Sequence, residues 1–258
     1  MAKAGKLTPF MIFATQRTGS NWLMGMLDAH PAVAAYDELL LPGATDSGYW
    51  GRTDLEFFEP YYARERKHDH PAARAMWSFR YLTELYASRR ATGAIGMKLM
   101  YSQLWKNPWV SVYMMRHRIR VIHLVRRNLL DIAVSLETLK VRTQPHAWKG
   151  QIVDTPTITL DPDTLVSTLE ALNFRIRVAR LLLSVMLVPH LELAYEHLVA
   201  NPSLIVDVFA FLEVDAPPDS VVSRFTKLNT SSKHDVIGNY TEIELALKGT
   251  DFERFLDD

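Results

Sequence analysis

The sequence of 258 residues contains no cysteine. This absence excludes disulfides, thiolate metal sites and a cysteine nucleophile, and it fits a reducing compartment. The chain also lacks an excess of either charge, because its 29 basic residues are balanced by 29 acidic residues. The overall charge therefore does not indicate binding to nucleic acid or to a membrane surface, and any anion site must be local.

Long apolar runs are absent as well. The N-terminal run is about six residues long, too short for the core of a signal peptide, and no later segment reaches the roughly 18 apolar residues of a membrane span. We therefore expect a cytoplasmic protein without a transmembrane segment. Internal repeats and low-complexity tracts are also missing, and the length suits one domain that covers residues 1–258.

Short apolar segments alternate with helical periodicity along the chain. The segments with the continuous apolar character of buried strands are residues 10–14, 33–36, 94–100, 121–125 and 191–195. The helices predicted between them include 71–90 with a cap at Asp69, one capped by Asn128, 162–188 with a cap at Asp161, and 202–212 with a cap at Asn201. The segment 102–118 is predicted to be mostly helical, with Pro108 at a helix start or a kink. This order predicts an α/β fold with a central parallel sheet of about five strands flanked by helices.

The first predicted strand leads into the turn TQRTGS at residues 15–20, which is followed by a helical pattern. The backbone N–H groups of residues 18–21 would then lie at the positive end of a helix, where they can bind an anion. The turn lacks the first glycine and the lysine of a triphosphate-binding loop. It contains instead Arg17, whose guanidinium can bind a phosphate or sulfonate, although a solvated arginine in an ordinary turn is the alternative.

Charged residues also follow or lie within the other predicted strands. They are Asp37 and Glu38 after the second strand, Lys98 in the third, and Arg126 and Arg127 after the fourth. Any one of them is readily explained as a surface charge. Because the carboxyl ends of parallel strands meet at one edge of a sheet, their matching positions instead indicate a ligand site at that edge.

Two motifs resemble those of the sulfotransferases that use 3′-phosphoadenosine 5′-phosphosulfate (PAPS). The segment TQRTGSNWL at 15–23 resembles the loop that binds the 5′-phosphosulfate, and HLVRRNLLDIAVS at 123–135 resembles the motif for the 3′-phosphate. The resemblance implies a fold like that of the P-loop nucleotide kinases. It implies donor binding by Gln16, Arg17, Thr18, Gly19, Ser20, Asn21 and Trp22, and by Arg127 with Ser135, with Arg126 as the less favoured alternative to Arg127.

Two later segments also resemble this family. The sequence KLNTSSKHDVIGNY at 227–240 is similar to its late basic loop, which implies that Lys227, Ser231, Ser232 and Lys233 contact the 3′-phosphate; a solvated loop is an equal alternative. The segment 192–212 resembles a strand that ends in Tyr-Glu, and we interpret Tyr195 and Glu196 as structural.

Within the family, the chain looks most like the bacterial carbohydrate type, such as trehalose and Nod-factor sulfotransferases. This implies PAPS as sulfuryl donor, adenosine 3′,5′-bisphosphate as product, no metal, and a hydroxyl acceptor on a carbohydrate, a glycolipid or another small alcohol. The histidine that the cytosolic animal enzymes carry after the third strand is missing here. We expect Glu38 to be the general base, with Arg17 and Lys98 stabilising the leaving group, although a lysine that merely pairs with Glu38 is the alternative for Lys98.

Asp37 is the rival base. Strand alternation predicts that Asp37 and Glu38 point to opposite faces, so that only one of them can serve. His123 lies inside the fourth strand and is interpreted as a satisfied core residue rather than as a base.

Two loops are predicted to cover the acceptor, at residues 39–60 and 140–160. Their aromatic residues suit stacking on a sugar or on an apolar chain: Tyr49, Trp50, Phe57, Phe58 and Trp148. Two other functions stay open, a phosphotransferase of the nucleoside-kinase type and a non-catalytic nucleotide-binding module. The oligomeric state is open too, because the stretch 112–115 suits either a subunit interface or the core.

Overall fold

The computed structural model describes residues 7–44, 52, 54–66, 70–88, 90–141, 156–215 and 232–256. Within these ranges five strands form one sheet in the order β2-β3-β1-β4-β5, and each neighbouring pair is parallel. The strands are β1 Thr8–Ala14, β2 Val33–Tyr36, β3 Ala94–Met100, β4 Arg120–Val125 and β5 His190–Ala194. The order places β1 in the middle of the sheet, so the turn that follows β1 lies at the centre of its carboxyl edge.

Helices cover both faces of this sheet. In chain order they are α1 Ser20–Asp28, α2 Phe58–Glu65, α3 Pro71–Ala87, α4 Tyr101–Lys106, α5 Trp109–His117, α6 Leu129–Val141, α7 Pro162–Met186, α8 Tyr195–Ala200, α9 Ile205–Phe211, α10 Lys233–Val236 and α11 Tyr240–Leu247. Short 3₁₀ turns lie at Pro202–Leu204 and Glu253–Phe255. In the part of the chain that the structure describes, no helix combines the length and the apolar character that crossing a bilayer would require.

The central strand contributes to two apolar layers, because successive side chains point to opposite faces. Phe10 and Ile12 pack with α1, α8 and α9, whereas Met11 and Phe13 pack with the layer that contains α3, α5, α6 and α7. All four side chains are essentially inaccessible to solvent. This double burial explains why the strand is apolar without alternation. The strand pairing confirms the predicted five-stranded parallel sheet.

The predicted long helix is confirmed as α7. The carboxylate of Asp161 accepts a hydrogen bond from the backbone N–H of Asp163 at 3.1 Å, and Pro162 occupies the first turn. The inward positions are the predicted ones, namely Leu165, Leu169, Leu172, Ile176, Ala179 and Leu183. Asn128 likewise accepts the N–H of Asp131 at 3.1 Å at the start of α6.

The mostly helical segment 102–118 divides into α4 and α5 at Pro108, where a helix start or a kink is predicted, since Asn107 leaves helical geometry (φ −130°, ψ 67°). One predicted helix cap needs correction. The predicted cap Asp69 lies outside the described residues. The residue that caps α3 is His70, whose Nδ1 accepts the N–H of Ala72 at 3.2 Å.

The expectation of an aromatic loop over residues 39–60 is wrong for Phe57 and Phe58. Phe58 begins α2 and is fully buried, with its ring stacked on that of Tyr62 at a centroid distance of 5.6 Å. Phe57 is buried as well. These two rings stabilise the core and are therefore not acceptor contacts. Tyr49, Trp50 and Trp148 lie outside the described residues.

Candidate functional site

The turn between β1 and α1 has a backbone that few residues adopt. Arg17 and Gly19 both have positive φ, at 63° and 82°. Thr18 is fully buried and its hydroxyl donates to the carbonyl of Thr15 at 2.9 Å, which holds the turn closed. No side chain at the N-cap position Gly19 bonds to the start of α1, and the first backbone N–H groups of a helix, which have no intrahelical acceptor, can bind an anion.

Tyr195 lies directly beneath this turn. A Cβ atom added at Gly19 would lie 2.3 Å from the Tyr195 ring, so glycine is required here by space as well as by its φ angle. The ring of Trp22 meets Tyr195 edge-on at 6.2 Å, and the guanidinium of Arg126 lies 5.0 Å from the centre of the Tyr195 ring. The sequence indicates only a structural role for Tyr195. The structure shows that Tyr195 also shapes the turn at residues 15–20, which we call the anion turn.

Arg17 joins the turn to α6. Its Nε donates to the hydroxyl of Ser135 at 2.8 Å, so residues from the two predicted motifs are in direct contact. Arg126 completes the group, because its guanidinium donates to the carbonyl of Arg17 at 3.3 Å and pairs with Asp131 at 2.5 Å. The Nε of Arg126 is buried and has no hydrogen-bond partner among the described residues. Two guanidinium groups and a hydroxyl therefore gather beside the turn.

Arg127 takes a different direction. Its side chain is exposed and contacts the Nε2 atom of His197 at 2.8 Å. Its backbone N–H and that of Asn128 donate to Glu196, at 2.9 and 3.1 Å. Of the two neighbouring arginines, Arg126 is thus the one whose guanidinium reaches the turn. Glu196 accepts hydrogen bonds from the backbone that leads into α6.

A second cluster of charges surrounds Lys98 in β3. The side chain of Lys98 is only 4% exposed, and its ammonium lies 2.6 Å from Asp37 and 3.2 Å from Glu38. The same ammonium donates to the side-chain oxygen of Asn21 in the first turn of α1. The other oxygen of Glu38 accepts from the amide of Gln103 in α4 at 2.7 Å. The cluster therefore connects the ends of β2 and β3 to the helix that forms the anion turn.

The predicted opposite orientation of Asp37 and Glu38 is wrong, because both carboxylates contact Lys98. The strand β2 ends at Tyr36, and alternation applies only within a strand. Beyond it the chain turns, with the N–H of Leu39 bonded to the carbonyl of Asp37 at 2.7 Å. Glu38 is the more accessible of the two acids, with 16% of its side chain exposed against 8% for Asp37.

The other residues predicted to bind the donor belong to the turn and to the segment 227–240. Gln16 is exposed, Ser20 is buried, and Lys227 and Ser231 lie outside the described residues. Ser232 caps α10 by accepting the N–H of Asp235 at 3.2 Å. Lys233 lies 3.8 Å from Asp131, the carboxylate that also pairs with Arg126, so the start of α10 is near the anion turn.

His123 belongs to a chain of hydrogen bonds that runs from the buried Tyr101 to Arg180, whose side chain is half exposed. Its Nε2 lies 2.6 Å from the hydroxyl of Tyr101 and its Nδ1 lies 3.0 Å from Glu192, which in turn pairs with Arg180 through two contacts of 2.8 Å. Burial lowers the pKa of His123 to about 4, against the opposing effect of Glu192. Both ring nitrogens are bonded, in agreement with a satisfied core residue.

In the described ranges, no group of three or more His, Asp or Glu side chains is placed to hold a metal ion. No protein-family model and no curated protein matches the chain.

Solved structures do match. The chain is similar to the "Crystal Structure of Sulfotransferase from Alicyclobacillus acidocaldarius", with 13% identity, 96% of this chain and 98% of that chain covered, and a TM-score of 0.47. It is also similar to the "Sulfotransferase Domain from the Curacin Biosynthetic Pathway", with 17% identity, coverage of 98% and 90%, and the same TM-score. At these identities the similarity concerns the fold alone, and the function must be argued from the site.

Replacement of Gly19 by alanine should abolish the anion site. The new Cβ would collide with Tyr195, and alanine is strained at the positive φ of this position. We expect at least tenfold weaker binding of adenosine 3′,5′-bisphosphate in calorimetry. Gly43→Ala is the matched control, because Gly43 has a φ of 74° but nothing within 4 Å of its added Cβ. Equal affinities for both variants would contradict the assignment.

Protonation of His123 should destabilise the fold in mild acid. The pKa of His123 is about 4 in the folded chain and about 6.5 when unfolded, so only the unfolded state binds the proton in between. The contribution of neutral His123 to the free energy of unfolding is therefore complete above about pH 6.5. Between about pH 6.5 and pH 4 the free energy of unfolding falls by roughly 1.4 kcal/mol per pH unit from this group. The free energy of unfolding, measured with urea at about pH 7 and at about pH 4.5, should fall less between the two pH values for His123→Gln than for wild type. The exposed His117→Gln variant should behave like wild type.

Proposed function

We propose that this protein is a sulfotransferase, which transfers a sulfuryl group from PAPS to a hydroxyl of a carbohydrate, a glycolipid or another small alcohol. The contact between Lys98 and Asn21 carries the proposal. It joins the cluster of Lys98, Asp37 and Glu38 to the first turn of α1, whose N-terminus forms the anion turn. An acid that can accept a proton and a cation that can follow the leaving group are thereby held beside a site for an anionic donor.

The residues around the turn fit such a donor. The α1 N-terminus and Arg17 offer donors for the 5′-phosphosulfate, and Gly19 allows the backbone to approach it closely. Ser135 is within 2.8 Å of Arg17, so a phosphate held by Ser135 would share the same electropositive region. The buried unpartnered Nε of Arg126 makes Arg126 a stronger candidate for this phosphate than the exposed Arg127. Lys227, Ser231, Ser232 and Lys233 are proposed to complete the 3′-phosphate contacts.

The reaction forms a bond between the acceptor oxygen and sulfur while the bond between sulfur and the bridging phosphate oxygen breaks. Glu38 takes the acceptor proton, because it is the more accessible of the two acids near Lys98. Asp37 holds the ammonium of Lys98 in place. Negative charge that develops on the phosphate is stabilised by Lys98, Arg17 and the backbone N–H groups of α1.

A ligand screen tests the donor. Adenosine 3′,5′-bisphosphate should raise the melting temperature, whereas ATP with magnesium should not, since the turn lacks the lysine of a triphosphate loop. Arg17→Ala should remove most of the shift. Arg116→Ala, which removes an exposed arginine of α5 that has no role in the site, is the control and should retain it. Stabilisation by ATP and magnesium alone would favour a phosphotransferase instead.

Replacement of Glu38 by glutamine tests the base. It should slow release of adenosine 3′,5′-bisphosphate from PAPS, in the presence of an accepted alcohol, by roughly 100-fold or more, because the amide cannot take the proton. Binding of the nucleotide should be unchanged. A larger loss of turnover in Asp37→Asn, with Glu38→Gln near normal, would assign the base to Asp37. Full nucleotide binding without transfer to any of a wide panel of alcohols would indicate a binding module.

A further inference from the structure

The solvent side of α7 carries an apolar stripe. Phe174, Leu181 and Val185 are 65%, 63% and 70% exposed. Their spacings of seven and four residues place them on one face of the helix, opposite the side that packs on the core. Exposed apolar residues that are scattered singly need no explanation, but a contiguous stripe indicates an interaction surface.

Two opposite charges flank Phe174 on this stripe. Glu170 lies one turn before Phe174 and Arg177 lies about one turn after it, and both are exposed. Glu170 and Arg177 are about 10 Å apart along the helix axis, too far to pair directly with each other. Neither forms an ion pair with another residue in the described ranges. The arrangement is self-complementary, because reversing the direction of the helix exchanges the acid and the base.

We propose that the partner of this stripe is a second copy of the chain, bound with its α7 antiparallel. A two-fold axis beside Phe174 pairs Glu170 of each copy with Arg177 of the other, so that the same contact is made twice. The same register places Leu181 opposite Val166 and Val185 opposite Pro162. Phe174 itself lies opposite Asn173 beside the axis, so each half of the seam consists of two apolar pairs, one ion pair and one contact between an aromatic ring and an amide.

A depression beside Phe174 supports this register. It has a volume of about 400 Å³ and is lined by residues from α7 and from the segment after α11, including Val166, Glu170, Arg177 and Phe252. Val166 and Phe252 supply an apolar wall of this depression, and the charged residues Glu170 and Arg177 line it as well. An aromatic side chain that enters from the opposite helix would be enclosed there, as central anchors of protein interfaces are.

A second exposed apolar surface lies on α4 and α5. Val112 and Met115 are each 43% exposed, and Trp105 and Trp109 are exposed beside them, while Tyr113 and Met114 belong to the core. Helix α5 contains no acidic residue, so it offers no pair of opposite charges that would specify an antiparallel copy. The subunit interface that the sequence leaves open at 112–115 therefore stays a prediction, and α7 is the better supported surface.

Charge exchange gives a direct test by sedimentation velocity over a wide concentration range. Wild type should form a dimer that dissociates on dilution. Glu170→Arg and Arg177→Glu should each weaken the dimer at least tenfold, because each places two pairs of like charges at the seam. The double variant should dimerise again. Arg175→Glu is the control, since Arg175 is exposed on α7 but lies outside the stripe, and it should leave the dimer unchanged.

Mixing the two single variants sharpens the test. One copy with Glu170→Arg and one copy with Arg177→Glu restore both ion pairs, so the mixture should contain heterodimers although each variant alone is monomeric. A wild-type protein that stays monomeric at all concentrations overturns the proposal. A dimer that neither single charge reversal weakens overturns it as well. Neither outcome depends on nucleotide binding, so the dimer and the proposed function are tested independently.

Discussion

The arrangement of the site depends on one buried charge, the ammonium of Lys98. A cation that is almost removed from water is tolerated only when opposite charges and hydrogen-bond acceptors surround it. Asp37, Glu38 and Asn21 meet this requirement, and they come from the end of β2 and the start of α1. The need to neutralise Lys98 therefore holds three elements in one geometry, and Gln103 adds α4 through its bond to Glu38.

The anion turn depends on a second constraint, the close approach of its backbone to Tyr195. Only glycine fits at position 19, and the aromatic ring in turn supports the guanidinium of Arg126. Asp131 and the carbonyl of Arg17 orient the same guanidinium. The guanidinium groups of Arg17 and Arg126 thus lie together beside the turn, in a chain whose total charge is zero. Such a local field can select an anionic ligand without making the whole protein basic.

Much of the fold was predictable because burial leaves a local pattern. A strand covered on both faces is continuously apolar, as β1 is, and a helix that covers a sheet shows a 3.6-residue period, as α7 does. The division between α4 and α5 was less visible, because Pro108 is equally compatible with a helix start and a kink. Phe57 and Phe58 were misplaced because their sequence neighbours are polar, whereas their burial comes from distant residues such as Tyr81.

The sequence by itself determined the order of the strands and of the longer helices, the glycine-containing turn and the set of charged residues at the strand ends. These features follow from local periodicity, backbone freedom and chain topology. Only the tertiary structure decided which charges meet: Arg126 rather than Arg127 at the turn, Ser135 against Arg17, and both Asp37 and Glu38 on Lys98. The physical reason is that a side chain's direction beyond a strand end depends on packing and on the partner that neutralises it, and neither is a property of neighbouring residues.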